Sequence, residues 1–297
     1  MVYAQCPESA GRSCVSIAET RSGTVLSRII ESRRAEVGRR KRIMPEPVLR
    51  IAAGKAGAPR DFAGALARDK VNVIAEIKKA SPSAGVLRRD FGPAALARGF
   101  EVAGAAALSV LTEEENFQGA LAHLRDARAV VGLPVLRKDF IVDAWQVWEA
   151  RAANADSFLL IAAALDNETL AELLALGREL GMEPLVEVHT ADELERVLAA
   201  GARIVGVNNR NLHTLEVRVE TSLELVEIIP QDCIVVSESG LRSAEDLRKL
   251  RSAGFDAFLI GESLMREADP GGALQRLIDG VSPRSGNSGV GSSDRSR

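Results

Sequence analysis

The sequence predicts an α/β fold of the (β/α)₈ TIM barrel class with an N-terminal helical extension. Three observations favour this class. Eight short runs rich in Val, Ile, Leu and Ala recur along the chain, helical patterns separate them, and several runs end in a charged or polar residue. Alternating strand and helix patterns imply a parallel sheet. Eight such units of roughly 20–35 residues each match a closed barrel.

Strands that are buried on both faces read as nearly continuous apolar runs. The predicted strands are 73–77, 106–111, 134–137, 157–162, 184–188, 203–208, 233–237 and 257–260, and helical patterns between them include 93–103, 143–153, 167–180, 191–200, 219–229 and 243–252. An open, doubly wound sheet is the alternative. Such a sheet normally has a glycine-rich turn after its first strand, whereas residues 79–83 read Lys-Ala-Ser-Pro-Ser.

The chain ends are predicted to lie outside one barrel domain. Residues 24–54 read as two helical pieces with Pro45 and Pro47 between them. The expected division is a disordered extension over 1–22, a single barrel domain over 23–280 that includes these helices, and a disordered tail over 281–297. The tail is rich in Ser, Gly and Arg, a composition that buries little apolar surface.

Composition excludes several classes of protein. Hydrophobic residues make up 46% and charged residues 27% of the chain, which suits a large core, and the net charge of −3 argues against a nucleic-acid surface. The three cysteines lack metal-ligand spacing, so neither a metal site nor a disulfide framework is expected, and a cytoplasmic location is predicted. No apolar run is long enough to span a membrane.

The ends of the predicted strands carry most of the candidate site. Active sites of such barrels lie at the carboxyl ends of the strands. Carboxylates and cations around one apolar mouth shift each other's pKa values in opposite directions, which suits acid–base chemistry on an anionic substrate. The strand-end residues are Glu76, Lys78, Lys138, Glu187, Asn208, Arg210, Glu238 and Ser239.

A phosphate site is predicted beside them. Loops after the seventh and eighth strands of such barrels commonly bind phosphate through backbone N–H groups and a short helix. Here those loops contain Ser239-Gly240 and Gly261-Glu262, and glycine permits a close backbone approach. Arg210 and Lys78 are the expected cationic side chains.

These motifs, in this order, resemble the indole-3-glycerol phosphate synthase family over about residues 24–280. The resemblance rests on the segments Ile74-Ala75-Glu76-Ile77-Lys78-Lys79-Ala80-Ser81-Pro82-Ser83, Leu136-Arg137-Lys138-Asp139-Phe140-Ile141, Leu185-Val186-Glu187-Val188, Gly206-Val207-Asn208-Asn209-Arg210 and Ser237-Glu238-Ser239-Gly240. It implies a carbon–carbon lyase of tryptophan biosynthesis. The implied reaction closes and decarboxylates 1-(2-carboxyphenylamino)-1-deoxyribulose 5-phosphate to give indole-3-glycerol phosphate, CO₂ and water.

The resemblance also implies a role for each site residue. Lys138 is expected to be the general acid and Glu187 the base. Lys78, with Glu76 beside it, pairs with anionic groups of the substrate and donates a proton to the departing water, and Asn208 and Glu238 hold hydroxyls and orient the lysines. The phosphate site consists of Ser81, Arg210, Ser239, Gly240, Gly261 and Glu262, and the aromatic ring is walled by Leu111, Phe117, Phe140 and Leu160.

Further expectations follow from the same resemblance. Neither a cofactor nor a metal is expected, the partner is a small sugar phosphate, and the protein is predicted to be a monomer or weak homodimer. The carboxylate of Glu262 would repel a phosphate, so its side chain is predicted to turn toward solvent or a basic neighbour and to leave only its N–H for the ligand.

Structural explanations compete at single positions. Glu187 would serve equally as a helix cap, and Asn208 and Asn209 as turn formers. His189 is interpreted as a loop or helix-entry residue with no relay role. Two other functions are weighed. The neighbouring isomerase of the pathway uses a cysteine near the end of its first strand, where this chain has Glu76 and Lys78. A non-catalytic phosphate-binding barrel would be expected to lack Lys138 or Glu187.

Overall fold

Eight parallel strands close into a barrel in this computed structural model, which describes residues 24–211 and 216–281. Each strand pairs with the next along the chain, and the last pairs with the first. The predicted fold class is therefore confirmed. The strands are β1 (Asn72–Ile77), β2 (Ala107–Leu111), β3 (Val135–Lys138), β4 (Ser157–Ile161), β5 (Leu185–Val188), β6 (Ile204–Asn208), β7 (Ile234–Glu238) and β8 (Ala257–Ile260).

Helices separate the barrel strands along the chain. A short antiparallel hairpin of Ala80–Ser81 and Gly85–Val86 follows β1, and a 3₁₀ turn over Ala162–Ala164 follows β4. The helices are α1 (Val25–Ile43), α2 (Glu46–Lys55), α3 (Phe62–Leu66), α4 (Pro93–Val102), α5 (Leu121–Arg128), α6 (Ala144–Ala152), α7 (Asn167–Glu179), α8 (Ala191–Ala199), α9 (Glu220–Val226), α10 (Ala244–Ser252), α11 (Glu262–Met265) and α12 (Pro270–Val281).

Strand alternation divides the core into two parts. Because successive side chains point to opposite faces, Val73 and Ile77 of β1 pack outward against the helices, whereas Ile74 points into the barrel. Phe62 and Leu66 of α3 join the inner cluster. The inner apolar layer supports the polar strand ends above it.

The N-terminal extension packs against the barrel as two helices. Trp145 and Trp148 of α6 are buried against Val37 of α1 and Leu49 of α2, which confirms that the tryptophans are core residues. The Trp145 Nε1 donates a hydrogen bond of 2.8 Å to the Met44 carbonyl. This hydrogen bond attaches the turn between α1 and α2 to α6.

The predicted division of the chain is only partly covered by the described residues. The extension over 1–22 and the tail beyond Val281 lie outside them, so their disorder remains a prediction. Val281 itself is the buried last residue of α12 and not the first residue of the tail. Its apolar side chain packs in the outer cluster, which is why the helix continues to it.

Candidate active site

A cavity of about 670 Å³ opens at the carboxyl ends of the barrel strands. Its walls come from strands on all sides of the barrel, as the sequence predicts for a shared pocket. All six predicted catalytic residues line it, namely Glu76, Lys78, Lys138, Glu187, Asn208 and Glu238.

Lys138 is the centre of this set. Its Nζ lies 2.9 Å from Glu187 Oε2 and 2.8 Å from Glu238 Oε2, so one ammonium group joins carboxylates of β5 and β7. Burial disfavours the charged ammonium, but the charges of Glu187, Glu238 and Glu76 outweigh it and raise the pKa of Lys138. The two neighbouring carboxylates therefore hold the lysine firmly in its charged form.

Glu238 and Glu187 titrate in opposite directions. Burial of Glu238, together with the charge of Glu187, raises its pKa to about 7 despite the contact with Lys138. Burial also disfavours ionised Glu187, yet Lys138, His189 and Asn208 lower its pKa to about 2. Pairs of carboxyl groups whose pKa values are pushed apart are typical of acid–base sites.

Two hydrogen-bonding details distinguish these carboxyl groups. The Oε1 of Glu187 accepts a 3.0 Å hydrogen bond from Asn208 Nδ2. The Oε1 of Glu238 is buried and has no hydrogen-bond partner among the described residues, so it is available to a ligand hydroxyl. Gly206 makes room for it, because a Cβ there would lie 2.2 Å from that oxygen.

Lys78 and Glu76 form a second ion pair across the cavity. Lys78 Nζ lies 2.6 Å from Glu76 Oε1, and both side chains are largely buried. Gly261 after β8 leaves space for this carboxylate, since a Cβ at that position would lie 2.3 Å from Glu76 Oε1. A residue predicted for phosphate binding thus also shapes the ion pair.

The predicted phosphate residues lie along one side of the cavity. Arg210, Ser239, Gly240, Gly261 and Glu262 line the main cavity. Ser81 instead lines an adjoining cavity of about 120 Å³, which shares Lys78, Arg210 and Glu262 with the first. Ser239 and Gly240 both have left-handed φ values, of 66° and 81°. Such conformations are uncommon for Ser and concentrate at ligand sites.

Glu262 turns toward basic neighbours, as the sequence analysis expects. Its Oε1 lies 3.0 Å from Arg266 Nη2, and its Oε2 lies 3.6 Å from Arg210 Nη2. Burial opposes ionisation, but the hydrogen bond from Arg266 and the nearby cations lower the pKa of Glu262. The carboxylate is therefore charged and engaged by arginines.

One predicted member of the aromatic wall is wrong. Leu111, Phe117 and Phe140 line the cavity, and the two phenyl rings lie 6.3 Å apart. Leu160 is fully buried in the outer cluster against the helices. Alternation along β4 puts its neighbours Leu159 and Ile161 on the cavity side instead.

The structure supports some of the structural roles considered for Glu187, Asn208 and Asn209 but not others. Glu187 does not cap the following helix, because the Thr190 side chain accepts the hydrogen bond from the Glu193 N–H. Asn208 has both roles, because its Nδ2 donates to Glu187 and its Oδ1 accepts a 3.0 Å hydrogen bond from the Arg210 N–H, as in an Asx turn. Asn209 is a loop former whose side chain donates to Ser237 Oγ and to the two carbonyls that follow it.

Sequence reasoning missed two groups of residues around the site. His189 Nε2 lies 3.4 Å from Glu187 Oε1, a side-chain neighbour that the sequence analysis did not assign to it. Asp139 is buried next to Lys138 and binds Arg33 of α1 and Arg137 of β3. Strand alternation could have indicated His189, because residues two apart share a face. The long-range pair with Arg33 left no local signal.

Clusters of metal-ligating type are absent from residues 24–211 and 216–281, where no group of three or more His, Cys, Asp and Glu side chains is arranged to hold an ion. Over the same residues, no helix has the length and hydropathy needed to cross a membrane.

A parallel eight-stranded barrel with buried lysine–carboxylate pairs at its strand ends defines a (β/α)₈-barrel enzyme with an acid–base site. Comparisons with known proteins narrow this class. Residues 26–277 match the family model described as indole-3-glycerol phosphate synthase. The chain belongs to the indole-3-glycerol phosphate synthase family.

Curated relatives carry that name over nearly their whole length. The indole-3-glycerol phosphate synthase of Burkholderia vietnamiensis is 50% identical over 258 residues, covering 86% of this chain and 98% of the relative. That of Laribacter hongkongensis is 49% identical over 259 residues, with 86% and 98% coverage.

Solved structures show the fold alone at much lower identity. A 3-hexulose-6-phosphate synthase aligns with a TM-score of 0.57 at 14% identity, over 71% of this chain and all of that chain. A mandelate oxidase mutant aligns with the same TM-score at 18% identity, over 80% of this chain and 92% of that one.

Proposed function

We propose that this chain converts 1-(2-carboxyphenylamino)-1-deoxyribulose 5-phosphate to indole-3-glycerol phosphate, CO₂ and water. Family membership supports this lyase reaction. The observation that carries the assignment of roles is the position of the Lys138 ammonium between Glu187 and Glu238 at one cavity. An ammonium that faces two carboxylates from other strands suits a reaction in which protons are both given and taken.

Lys138 is the proposed general acid for ring closure. The ring carbon that bears the carboxylate attacks the ketone carbon, and the ketone oxygen gains the electrons of the broken π bond. An ammonium beside that oxygen stabilises the developing charge and then transfers its proton. The raised pKa of Lys138 suits this partner, because an alkoxide is basic enough to take a proton from a tightly held ammonium.

Loss of CO₂ then leaves its bonding electrons in the ring, and dehydration completes the indole. Glu187 takes a proton from the closed intermediate, and Lys78 gives one to the departing hydroxyl. The low pKa of Glu187 rises as Lys138 turns to the substrate, because their ion pair is what chiefly depresses it. Glu76 pairs with Lys78 through its Oε1, and Asn208 and Glu238 hold substrate hydroxyls.

The anionic groups of the substrate determine its orientation in the proposed complex. The phosphate binds beside Arg210, Ser239, Gly240 and Gly261, with the N–H of Glu262 as a further donor and Ser81 on the side of the adjoining cavity. The aromatic ring lies among the apolar side chains Leu111, Phe117 and Phe140. The left-handed backbone at Ser239 and Gly240 supports the phosphate placement.

Finer points of the assignment rest on the sequence. We propose that the protein works in the cytoplasm as a monomer or weak homodimer without a nucleic-acid partner. The negative net charge and the scarcity of cysteine support the location and the lack of a nucleic-acid partner.

Incubation with the carboxyphenylamino deoxyribulose phosphate tests the function directly. We expect indole fluorescence to increase with time, at a rate proportional to the enzyme concentration. One molecule of CO₂ should be released for each molecule of indole-3-glycerol phosphate formed. Absence of the signal from folded protein would contradict the lyase assignment. It would leave the isomerase and the non-catalytic barrel as the remaining explanations.

A further inference from the structure

Phe117 reaches the site from the loop between β2 and α5, residues 112–120. It lines both the main cavity and the adjoining cavity, and its ring centroid lies 6.3 Å from that of Phe140. Phe140 packs against the inner apolar cluster, whereas Phe117 belongs to none of the apolar clusters of residues 24–211 and 216–281. The position of the Phe117 ring therefore depends on how its own loop is held.

Glu113 holds that loop from its buried side. The residue is 4% exposed, and its Oε2 accepts hydrogen bonds of 2.8 Å from the Asn116 N–H and 3.0 Å from the Phe117 N–H. Its Oε1 accepts a further 3.0 Å hydrogen bond from Asn116 Nδ2. All three donors belong to the loop, and Glu113 lines neither cavity. The carboxylate therefore acts on the site through the loop residues that it holds.

The backbone that follows Phe117 is also constrained. Gln118 has a left-handed φ of 50°, which is uncommon for a residue other than glycine. The Gly119 N–H donates a 2.7 Å hydrogen bond to the Glu113 carbonyl, and a Cβ at Gly119 would lie 2.5 Å from the Leu111 carbonyl oxygen. Glu113 thus fastens the loop on both sides of Phe117, with its carboxylate before the ring and its carbonyl after it.

We propose that Glu113 is a positioning residue that determines the affinity for the aromatic ring of the substrate, because it fixes Phe117 before the ring binds. The inference rests on the proposed function, in which Phe117 walls that ring. Glu113 touches no reacting atom. A side chain that is already in place loses little conformational freedom on binding, and this preorganisation increases affinity. Contacts between aromatic rings also depend on their relative placement.

Phosphate recognition and acid–base chemistry should not depend on Glu113. The proposed phosphate residues follow β6, β7 and β8, and the Lys138–Glu187 pair joins β3 and β5. Phe117 contacts the aromatic ring in the ground state and in the transition state alike. Loss of its placement should therefore raise KM and leave kcat nearly unchanged.

Comparison of Glu113→Ala with Glu113→Gln tests the proposal. Alanine removes all three hydrogen bonds, whereas the glutamine oxygen still accepts from both backbone N–H groups, and the Asn116 amide can turn to accept from the glutamine NH₂. For Glu113→Ala we expect KM to rise on the order of 10-fold, with kcat within about two-fold of wild type. Glu113→Gln should restore the wild-type KM. Glu114→Ala, at an exposed position of the same loop, is the matched control.

Inhibition by two phosphates separates the ring from the phosphate. Indole-3-glycerol phosphate carries both groups, whereas glycerol 3-phosphate has no ring. In Glu113→Ala we expect the inhibition constant of indole-3-glycerol phosphate to rise as KM does, and that of glycerol 3-phosphate to stay within about two-fold of wild type. General damage to the site would raise both constants together.

A double-mutant cycle with Phe117→Ala shows whether Glu113 acts through this ring. Once the phenyl ring is absent, Glu113→Ala should raise KM no further, because the two changes remove the same interaction. If Glu113→Ala does not fold, Asn116→Gly provides the second measurement. It removes the hydrogen bond to Oε1 and loosens the loop, so KM should rise in the same direction by a smaller factor.

Several results would overturn the proposal. These are an unchanged KM in Glu113→Ala, an equal loss of affinity for glycerol 3-phosphate, and a full further loss in the Phe117→Ala background. A KM of Glu113→Gln as high as that of Glu113→Ala would show that the hydrogen bonds do not hold the ring. Absence of turnover by the wild-type protein would instead contradict the proposed function, so the two failures are distinguishable.

Discussion

At the scale of single residues, the acid–base properties of the site depend on the carboxyl groups that contact Lys138. Their charge states change when the ammonium group moves away from them. Lys138 holds Glu187 and Glu238 through one ammonium group, and Oε1 of Glu238 has no hydrogen-bond partner among residues 24–211 and 216–281. Movement of the ammonium toward a ketone oxygen therefore changes the basicity of both carboxyl groups at once. A substrate hydroxyl on Glu238 Oε1 would compensate part of that change.

Replacement of Lys138 by Met tests this centre. The methionine keeps most of the chain length but has no proton, so we expect kcat to fall at least 10²-fold while KM changes little. Steady-state rates at a series of substrate concentrations, followed by indole fluorescence, measure kcat and KM. Lys79→Met is the matched control, because Lys79 lies next to Lys78 but does not line either cavity. Retained turnover in Lys138→Met would remove Lys138 from the acid role.

Glu262 gives a second prediction at this scale. Its ionised carboxylate faces Arg210 and Arg266, and its proposed contribution to the ligand is only its N–H. We therefore expect Glu262→Ala to bind inorganic phosphate, measured by competition with substrate, with unchanged or slightly higher affinity. Glu245→Ala, which removes an exposed carboxylate on α10, controls for net charge. A large loss of affinity in Glu262→Ala alone would contradict the prediction.

At the scale of elements, helix α1 is fastened to the strand that carries the acid. Arg33 is buried and pairs with Asp139, the residue after Lys138. Asp139 also binds Arg137, 3.0 Å away, and accepts a hydrogen bond from Thr112. Burial opposes its ionisation, but the two arginines lower its pKa. The N-terminal extension is thus joined electrostatically to the end of β3.

Removal of the Arg33 guanidinium should weaken this attachment. In Arg33→Met we expect the free energy of unfolding to fall by about 2 kcal/mol, the range for hydrogen bonds to charged groups, because Arg137 still compensates Asp139. Urea unfolding measures this loss. Arg39→Met, at an exposed position of the same helix, should change stability little. Equal stability of the two variants would show that the buried pair contributes nothing.

The sequence indicates elements better than it indicates side-chain orientation at their ends. Predicted and observed bounds agree within one residue for all eight strands, because apolar runs buried on both faces leave a continuous signal. The assignment of Leu160 to the cavity was wrong because a continuous run does not reveal which residues alternate inward. The contact of Arg33 with Asp139 depends on tertiary packing, which local patterns do not contain.

At the scale of the whole molecule, the buried carboxyl groups of the site should make stability depend on pH. Glu238 has a pKa raised by burial to about 7, so the folded state binds this proton more tightly than the unfolded state. Its contribution is present below the ordinary value of 4.5 and is lost as pH rises to about 7. The loss is on the order of 3 kcal/mol. His189, with its raised pKa, adds a further loss at higher pH.

Lowering the pH should also reduce stability, through Glu187 and Asp139. Burial opposes their ionisation, but neighbouring cations lower both pKa values, that of Glu187 to about 2. Their stabilisation is present above the ordinary carboxyl pKa and is lost as pH falls below it. The two sets of groups together place the maximum of stability near pH 5.

Unfolding free energies from urea titrations at pH 5, 6, 7 and 8 measure this balance. We expect a steady fall from pH 5 to pH 8 in the wild-type protein and a much smaller fall in Glu238→Gln, whose amide does not titrate. Glu245→Gln, on the exposed face of α10, should follow wild type. If the wild-type protein were equally stable at pH 5 and pH 8, this result would contradict the raised pKa of the buried Glu238 carboxyl group.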